Sequence, residues 1–276
     1  MNADSIKEIM VARKIDAHKG DFGRALLICG SRLMPGAAII SARAALMCGA
    51  GLATVASDER VIAACAAAIP EAVYFDTNAV QGELVAAVNK ADAILIGCGL
   101  GQGEKAFTLL DTVLRYGNCP LIIDADGINM VARGIQLNRY AGKICMTPHA
   151  GEMGRLLGMD AAGVQADRKA AAAECVRRYG VTVVLKGEGT ITAFCDGSTI
   201  TNTTGNPGMA KPGSGDMLSG MMVSFLAQGI PFEKAIPAAV YLHGMAGDIT
   251  AGQFTQRAMQ VSDMIDNLPR VFKIFE

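Results

Sequence analysis

The sequence has almost no net charge. It carries 25 lysines and arginines against 26 aspartates and glutamates, which gives a formal charge of −1 at pH 7. Proteins that hold nucleic acid or anionic membranes by bulk electrostatics need a strongly basic surface. We therefore expect no nucleic-acid partner and no membrane partner, and we expect any anionic ligand to be held by a few local groups.

Long hydrophobic runs and closely spaced cysteines are also missing. No stretch reaches the ~18 consecutive apolar residues of a transmembrane helix, and residues 1–30 lack the basic and apolar segments of a signal peptide. The closest of the eight cysteines, Cys48 and Cys65, are 17 residues apart, so the chain has no CxxC motif. With 51% apolar residues, the sequence predicts a folded cytoplasmic protein whose cysteines are reduced and mostly buried.

The usual phosphate-binding motifs are absent as well. The sequence contains no GxxxxGKS/T motif, and the glycine cluster at residues 97–101 fails the GxGxxG pattern because residue 102 is glutamine. Neither a P-loop nor a Rossmann dinucleotide turn is supported. Any phosphate must be bound by another arrangement.

Short apolar runs alternate with helix-like segments along most of the chain. This alternation is typical of an α/β fold with a mostly parallel sheet and helices on both faces. We predict strands at residues 25–29, 52–56, 93–96, 121–123, 143–146 and 181–185, an edge hairpin at 190–194 and 199–203, and helices at 35–48, 215–227, 231–250 and 255–268. Because no linker or low-complexity tract interrupts the pattern, we expect residues 1–276 to form one domain.

Glycine and polar residues follow five of the predicted strands. Ligands of open α/β sheets bind outside the carboxyl ends of the strands. The glycine-rich or polar segments that follow the predicted strands are residues 30–36, 97–101, 124–129, 147–152 and 186–190. The sequence therefore predicts that one edge of the sheet carries the functional site.

The densest signal is the segment 204–216, which leads directly into an apolar helix. Gly213, Ser214 and Gly215 would place backbone N–H groups at a helix N-terminus, where the helix dipole also favours an anion. This arrangement predicts an anion hole that accepts a phosphate. Asp216 could cap the helix, or it could accept the proton of a hydroxyl that attacks a phosphoryl group.

Seven short blocks of this sequence form one ordered set, residues 36–38, 99–101, 124–127, 147–152, 185–187, 205–210 and 213–216. They include the specific blocks Thr-Pro-His-x-Gly-Glu and Gly-Asn-Pro-Gly-Met-Ala. Together they resemble one family, the ADP-dependent NAD(P)H-hydrate dehydratases of the ribokinase-like superfamily, and the resemblance runs in order from about His18 to Gly229.

The resemblance implies a carbon–oxygen lyase that repairs nicotinamide nucleotides. Such an enzyme uses ADP to dehydrate the S epimer of hydrated NADH or NADPH (NADHX and NADPHX), with AMP and phosphate as by-products. The substrate hydroxyl is phosphorylated first and the phosphate is then eliminated. Asp216 would act as the catalytic base, and Mg²⁺ would bridge the phosphates of ADP or ATP.

The family pattern also implies two binding sites. The hydrated dinucleotide would lie near Ala37 or Ala38, Gly101, His149 and Asp216. The adenine nucleotide would lie along Lys186, Gly187, Glu188, Gly189 and Thr190 and at Gly215.

Several of these residues have a plain structural alternative. His149 could be satisfied by a neighbouring carbonyl, and Lys186 could be solvated at its strand end. Asp124 and Asp126 could cap a helix or lie near metal and phosphate, and Glu152 could reach the site through metal-bound water or cap the helix after Gly151. No residue is assigned as a direct metal ligand, and His243 is predicted to be a packing residue.

The chain departs from the family pattern in two places. Members more often have Gly-Pro-Gly where this chain has a cysteine, Cys98, between two glycines, and Thr-Gly-Gly-Thr-Gly-Asp where this chain has residues 211–216. Pro212 restricts the backbone there, and Lys211 adds a cation beside the predicted anion hole. The preference for ADP over ATP is therefore left open, whereas Asp216 is intact.

Two further expectations follow from the resemblance. Family members often carry an N-terminal epimerase that interconverts the two hydrates, but only about 17 residues precede the match here, so we expect a separate epimerase. The apolar helices near the C-terminus suit a subunit interface, and we expect a homo-oligomer, a tetramer in this family.

Two other functions fit part of the pattern. An ATP-dependent kinase of a small alcohol, such as hydroxyethylthiazole or hydroxymethylpyrimidine, would show the same Gly-x-Gly-Asp sequence. A nucleotide-sensing module without catalysis is a second alternative, which the intact Asp216 disfavours.

Overall fold

One mixed sheet of nine strands forms the centre of the part of the chain that the computed structural model describes, residues 3–10, 13–78 and 81–276. The strands follow one another in space in the order β3-β2-β1-β4-β5-β6-β7-β8-β9. Their bounds are β1 Arg24–Ile28, β2 Leu52–Ser57, β3 Val73–Asp76, β4 Ala93–Ile96, β5 Leu121–Ile123, β6 Ile144–Met146, β7 Thr182–Leu185, β8 Ile191–Ala193 and β9 Thr199–Thr201.

The helices cover both faces of this sheet. Their bounds are α1 Ala3–Lys7, α2 Pro35–Met47, α3 Glu59–Ala68, α4 Gln81–Lys90, α5 Glu104–Tyr116, α6 Asp126–Ala132, α7 Ala150–Leu157, α8 Ala161–Ala166, α9 Arg168–Tyr179, α10 Ser214–Ala227, α11 Phe232–Ala258, α12 Val261–Asp266 and α13 Leu268–Phe272. Among the described helices, none combines the length and the apolar character needed to cross a bilayer.

The first seven strands are parallel, and β8 and β9 add to the sheet in antiparallel fashion. The chain leaves β1 in one direction to form β2 and β3, and then returns to place β4 on the other side of β1. Such a reversal opens a crevice at the carboxyl ends of the two central strands. The loops after β1 and β4 meet there, with the Gly30 amide donating to the Cys98 carbonyl at 2.8 Å.

The central strands read as continuous apolar runs because they are buried on both faces. Successive side chains point to opposite faces, so Leu27, Leu95 and Ile122 pack into one hydrophobic cluster with α2, α10 and α11. Leu26 and Ile94 belong to the cluster on the other face, which includes α5, α7 and α9.

Helix α10 packs closely against α2, and this contact fixes where α10 begins. A Cβ on Gly220 would lie 2.2 Å from the carbonyl oxygen of Ser41, so only glycine allows this approach. The start of α10 is thereby held at the carboxyl edge of the sheet.

The predicted α/β fold with a mostly parallel sheet is confirmed. Each of the six predicted strands and both arms of the hairpin lie within two residues of an observed strand. Strand β3 is not predicted, because this edge strand is short and half exposed and shows no clean alternation.

The predicted helix over residues 255–268 is wrong. Helix α11 runs on to Ala258 with a kink at Thr255, where φ is +71°. The Gln260 amide donates to the Asp263 carboxylate at 2.7 Å, and this cap begins a new helix, α12, in place of a continuous one.

Candidate active site

The candidate active site is a group of charged side chains at the carboxyl ends of β4, β5, β6 and β7, facing the N-terminus of α10. Asp124 follows β5 and is almost completely buried, with 1% of its surface exposed. Its Oδ1 accepts a hydrogen bond from Lys186 Nζ at 2.7 Å, and its Oδ2 accepts one from Ser219 Oγ at 2.8 Å. Asp124 therefore links the strand end to the first turns of α10.

The charge of Asp124 is stabilised by these contacts. Burial by itself would raise the pKa of the carboxyl group, but the Lys186 ammonium and the hydrogen bonds from Lys186 and Ser219 hold it below its usual value. Asp124 is thus an anion in the folded protein at neutral pH.

Lys186 points into the site and is not a solvated surface lysine. Only 18% of its side chain is exposed, and Nζ also lies 4.0 Å from Glu152 Oε2. Burial opposes its charge, but the carboxylates of Asp124 and Glu152 more than offset this effect and raise the pKa of the lysine. The alternative of a solvated Lys186 is wrong.

Asp216 lies in the first turn of α10, and the helix cap there is Gly213, which has no side chain to hydrogen-bond. Burial, followed by the charge of Asp124, raises the pKa of Asp216 to about 6. The Cys98 thiol opposes this shift, and it donates a hydrogen bond to Asp124 Oδ2 at 3.6 Å. Ligand atoms of Cys98, Asp124 and Asp216 all lie within 4.8 Å of one another. A carboxylate with this pKa is suited to accept a proton near neutral pH.

The start of α10 offers backbone amides to an anion. Gly213 adopts φ +93°, in the region that favours glycine. The Ser214 amide donates to the Lys211 carbonyl at 3.2 Å, whereas within the described residues the amides of Gly215 and Asp216 have no backbone or side-chain acceptor. A Cβ on Gly215 would lie 3.2 Å from Lys186 Nζ. Glycine at this position therefore allows the Lys186 ammonium group to lie close to the helix start.

His243 of α11 contacts this helix start. Its Nε2 lies 3.3 Å from the Ser214 hydroxyl, and burial lowers the pKa of the imidazole to about 4. The residue is buried, as the packing prediction requires, and it also holds the anion-hole segment through a neutral hydrogen bond.

His149 and Glu152 form a reciprocal cap at the start of α7. The imidazole Nδ1 accepts from the amides of Gly151 and Glu152, and Glu152 Oε2 accepts from the His149 amide at 2.8 Å. The capping alternative for Glu152 is therefore confirmed. Because Nδ1 accepts two amide hydrogens, the ring proton is on Nε2, and Nε2 lies 3.5 Å from Glu152 Oε1.

The small residues predicted near the substrate occupy different positions. Ala38 is fully buried in the core, whereas Ala37 is partly exposed. A Cβ on Gly99 would lie 2.7 Å from the Ala37 methyl group, so Ala37 faces the loop after β4. The Gly101 amide in that loop donates to Asp126 Oδ2 at 2.8 Å.

The segment 186–190 forms the turn between β7 and β8. Gly187 and Gly189 both adopt positive φ, 138° and 57°, and Thr190 Oγ1 donates to the Gly187 carbonyl at 2.8 Å. Arg168 anchors the start of this turn by donating a hydrogen bond to the Leu185 carbonyl at 3.0 Å. Glu188 is exposed, so the turn presents backbone and small side chains to an incoming ligand.

Lys211 does not add a free cation to the anion hole. Its Nζ donates to the carbonyls of Arg257, at 3.0 Å, and Met259. Arg257 belongs to the last turn of α11 and Met259 caps that helix, and carbonyls at a helix C-terminus attract positive charge. The expectation that Lys211 contributes charge beside the nucleotide is wrong, because the C-terminus of α11 takes up its ammonium group.

Sequence reasoning missed Ser219 and Asp248. Asp248 accepts hydrogen bonds from the Gly205 amide and the Asn206 side chain, both at 2.9 Å, and so fastens the loop 205–210 to α11. Asp248 is an isolated acid in an otherwise apolar helical stretch, which is a signal that the sequence does carry. Ser219 carries no comparable signal, because its role depends on Asp124 meeting it across the fold.

Among the described residues, Cys98, Asp124 and Asp216 form a group whose ligand atoms could hold a metal ion. Both oxygens of Asp124 accept from protein donors, and Glu152 Oε2 is used by the cap of α7. Mg²⁺ prefers octahedral oxygen ligands and keeps several waters when few carboxylates are free. The few free carboxylate oxygens therefore fit a metal that would be carried mainly on nucleotide phosphates.

The sheet order, the helix start with unpaired backbone amides and the buried carboxylates are those of a ribokinase-like protein. A ribokinase-like superfamily protein of Enterococcus faecalis matches with a TM-score of 0.89 and 35% identity, covering 100% of this chain and 95% of that chain. Residues 25–270 match the family model described as NAD(P)H-hydrate dehydratase. The chain belongs to that family, as its resemblance predicted.

Relatives support the same assignment. The ADP-dependent (S)-NAD(P)H-hydrate dehydratase of Bacillus subtilis is 34% identical over 273 residues, which cover 99% of this chain and 97% of that protein. The B. subtilis ADP/ATP-dependent enzyme, co-crystallised with ATP and Mg²⁺, matches with a TM-score of 0.91 and 33% identity over 100% of this chain and 98% of that chain. The bifunctional NAD(P)H-hydrate repair enzyme of Thermofilum pendens is 35% identical over 271 residues. This match covers 95% of the chain but only 52% of the relative, so the chain spans about half the length of that protein.

Proposed function

We propose that the protein catalyses the ADP-dependent dehydration of the S epimer of NADHX or NADPHX, releasing NADH or NADPH with AMP and phosphate. One observation carries this proposal. Asp216, with a pKa of about 6, lies beside the unpaired amides of an α-helix N-terminus and opposite Lys186. This combination suits the transfer of a phosphoryl group to a hydroxyl, and the family to which the chain belongs supplies the substrate.

In the first step, the substrate hydroxyl oxygen bonds to the β-phosphorus of ADP. The carboxylate of Asp216 accepts the proton of that hydroxyl. The bond between that phosphorus and the bridging oxygen breaks, and AMP leaves. The amides of Gly215 and Asp216 stabilise the charge that develops on the phosphoryl oxygens. General-base assistance of this kind contributes ~10²–10⁴-fold to the rate.

In the second step, the phosphorylated hydrate loses phosphate. The carbon–oxygen bond breaks and its electron pair leaves with the phosphate. The phosphate accepts a proton from the adjacent ring carbon, and the electron pair of that carbon–hydrogen bond forms the ring double bond. The amides at the start of α10 would favour the departing phosphate, and the exposed ring of His149 is proposed to contact the substrate.

ADP is the proposed phosphoryl donor, along residues Lys186–Thr190 and Gly215. Lys186 supplies a buried cation, and Gly187 and Gly189 allow close approach of the backbone. Mg²⁺ would neutralise phosphate charge when bound with the nucleotide. The dinucleotide is proposed to lie at Ala37, Gly101, His149 and Asp216, because these residues border the same crevice.

The kinase of a small alcohol remains the second candidate, because it would use the same Asp216 and the same helix start. Product analysis separates the two. Incubation with NADHX and ADP should yield AMP and free phosphate in equal amounts and no stable phosphorylated product. A stable phosphate ester of a thiazole or pyrimidine alcohol, formed from ATP without NADHX turnover, would replace the proposal by the kinase.

The remaining expectations stay predictions. They are a homotetramer, a cytoplasmic location, a role in metabolite repair, and a separate epimerase that acts on the same substrate. The free state of all eight cysteines in the structure is compatible with a reducing compartment.

A further inference from the structure

A second group of positive charge borders a cavity next to the proposed dinucleotide site. The cavity has a volume of about 640 Å³ and is lined by Gln102, Asn129, Ala132, Arg133 and Arg155. Gln102 directly follows Gly101, and Arg155 belongs to α7, which starts directly after His149. The cavity therefore continues from two residues that border the proposed dinucleotide site.

Both arginines are oriented by neutral partners. Arg155 Nε donates to Asn129 Oδ1 at 2.8 Å, and Arg133 Nη1 donates to Gln102 Oε1 at 3.5 Å. Arg133 also lies over the ring of Phe107, 5.7 Å from its centre. These contacts hold the guanidinium groups in place without neutralising them.

Neither guanidinium has a carboxylate partner in the described part of the chain. The arginines that do form ion pairs there are Arg43, Arg115, Arg139 and Arg177. Two charges without counter-ions on one concave surface attract an anion, and the planar guanidinium suits the paired oxygens of a phosphate.

Arg155, in the last turn of α7, lies beside the proposed dinucleotide site. A Cβ on Gly151 would lie 3.9 Å from Arg155 Nη1, so the guanidinium lies alongside the turn that His149 caps. The Gly101 amide and the Gln102 side chain both donate to Asp126, at 2.8 and 3.0 Å. This contact fixes the opposite wall of the cavity, formed by the loop after β4.

We infer that Arg133 and Arg155 form a subsite for a phosphate group of the dinucleotide, outside the reacting ring. The inference rests on the proposed function only for the identity of the ligand. Two groups share the required chemistry, namely the pyrophosphate common to both dinucleotides and the 2′-phosphate that only NADPHX carries.

The test measures binding of NADH and of NADPH by calorimetry to the wild-type protein and to Arg133→Gln and Arg155→Gln. Arg178→Gln is the matched control, because Arg178 is exposed and lies at the end of α9, on the opposite edge of the sheet. Each cavity variant should weaken binding roughly tenfold, as expected for loss of a hydrogen bond to a charged group. Equal weakening for both dinucleotides assigns the pyrophosphate, and weakening for NADPH alone assigns the 2′-phosphate.

Affinities within about twofold of the wild type in both cavity variants, or no binding to the wild type, would overturn the inference. Turnover of NADHX by the same proteins separates this outcome from failure of the proposed function. If binding depends on the two arginines but NADHX is not turned over, the proposed function is contradicted and the subsite is supported. If both cavity variants turn over NADHX with unchanged binding and KM, the subsite is contradicted and the proposed function is supported.

Discussion

Lys186 and Asp124 form a buried ion pair of 2.7 Å although 62 residues separate them in sequence. The pair exists because β5, β6 and β7 are neighbours in the sheet and end at the same edge. It places one cation among three carboxylates, those of Asp124, Glu152 and Asp216. This excess of negative charge, added to burial, keeps the proton affinity of Asp216 high.

Replacement of Lys186 by methionine should destabilise the protein strongly. The change leaves Asp124 as an unpaired buried anion, which typically costs about 3–5 kcal/mol. Lys143→Met is the matched control, because Lys143 and Glu233 form an ion pair that is more than half exposed, worth about 0–1 kcal/mol. Urea denaturation measures both free energies of unfolding, and equal losses in the two variants would contradict the role given to the buried pair.

The rate of the reaction should fall at acid pH with a midpoint near pH 6. Asp216 accepts a proton only when it is ionised, and its pKa is about 6 because of burial and the charge of Asp124. As pH falls through this value, kcat/KM should drop about tenfold per pH unit. A profile that stays flat down to pH 4.5 would show that the base is a different group.

Cys98→Ala should move this acid limb to higher pH. The Cys98 thiol favours the ionised form of Asp216 and lies 3.6 Å from Asp124 Oδ2, so its removal raises the pKa of Asp216. Cys98→Ser, which keeps a hydrogen-bond donor, should restore the wild-type profile. Cys175→Ala removes another buried thiol, remote from Asp216 on α9, and should leave the midpoint in place. Coincident profiles for Cys98→Ala and the wild type would contradict the effect of Cys98 on the pKa of Asp216.

Asp216→Asn should bind ADP normally and lose the chemical step, because the amide keeps the shape of the side chain and cannot accept the proton. The same variant should be more stable than the wild type at pH 8. The raised pKa of Asp216 means that ionisation in the folded state costs stability as pH rises through about 6. Below about pH 4, where the carboxyl is protonated in folded and unfolded chains alike, the gain should vanish. Thermal unfolding at the two pH values checks this, and a variant less stable at pH 8 would contradict it.

Much of the fold was predictable because buried parallel strands leave a direct trace in the sequence. The run Ala-Ile-Leu-Ile of β4, which is bounded by a charged residue and a glycine, indicates a strand buried on both faces. Strand β3 and the break after α11 leave no such trace. The first is a half-exposed edge, and the second depends on the contact between Gln260 and Asp263.

The site was predictable as a set of positions and not as a set of contacts. Glycines and acids at strand ends located its edge, and the motif around Asp216 located its centre. Three sets of contacts depend on which elements become neighbours in the fold. They are the hydrogen bonds of Asp124, the bonds from Lys211 to the end of α11, and the bonds from the loop 205–210 to Asp248. Local sequence patterns do not encode these neighbours.

The most direct test of the proposed function adds the purified protein to NADHX with Mg²⁺, with and without ADP, and follows the near-ultraviolet absorbance band of NADH. Asp216→Asn is run beside the wild type. We expect the band to recover with wild type and ADP, in step with release of AMP, and to recover at least roughly a hundredfold more slowly with the variant. Absence of recovery with the wild type would contradict the proposed function. Equal recovery with Asp216→Asn would contradict the role of Asp216 as the base.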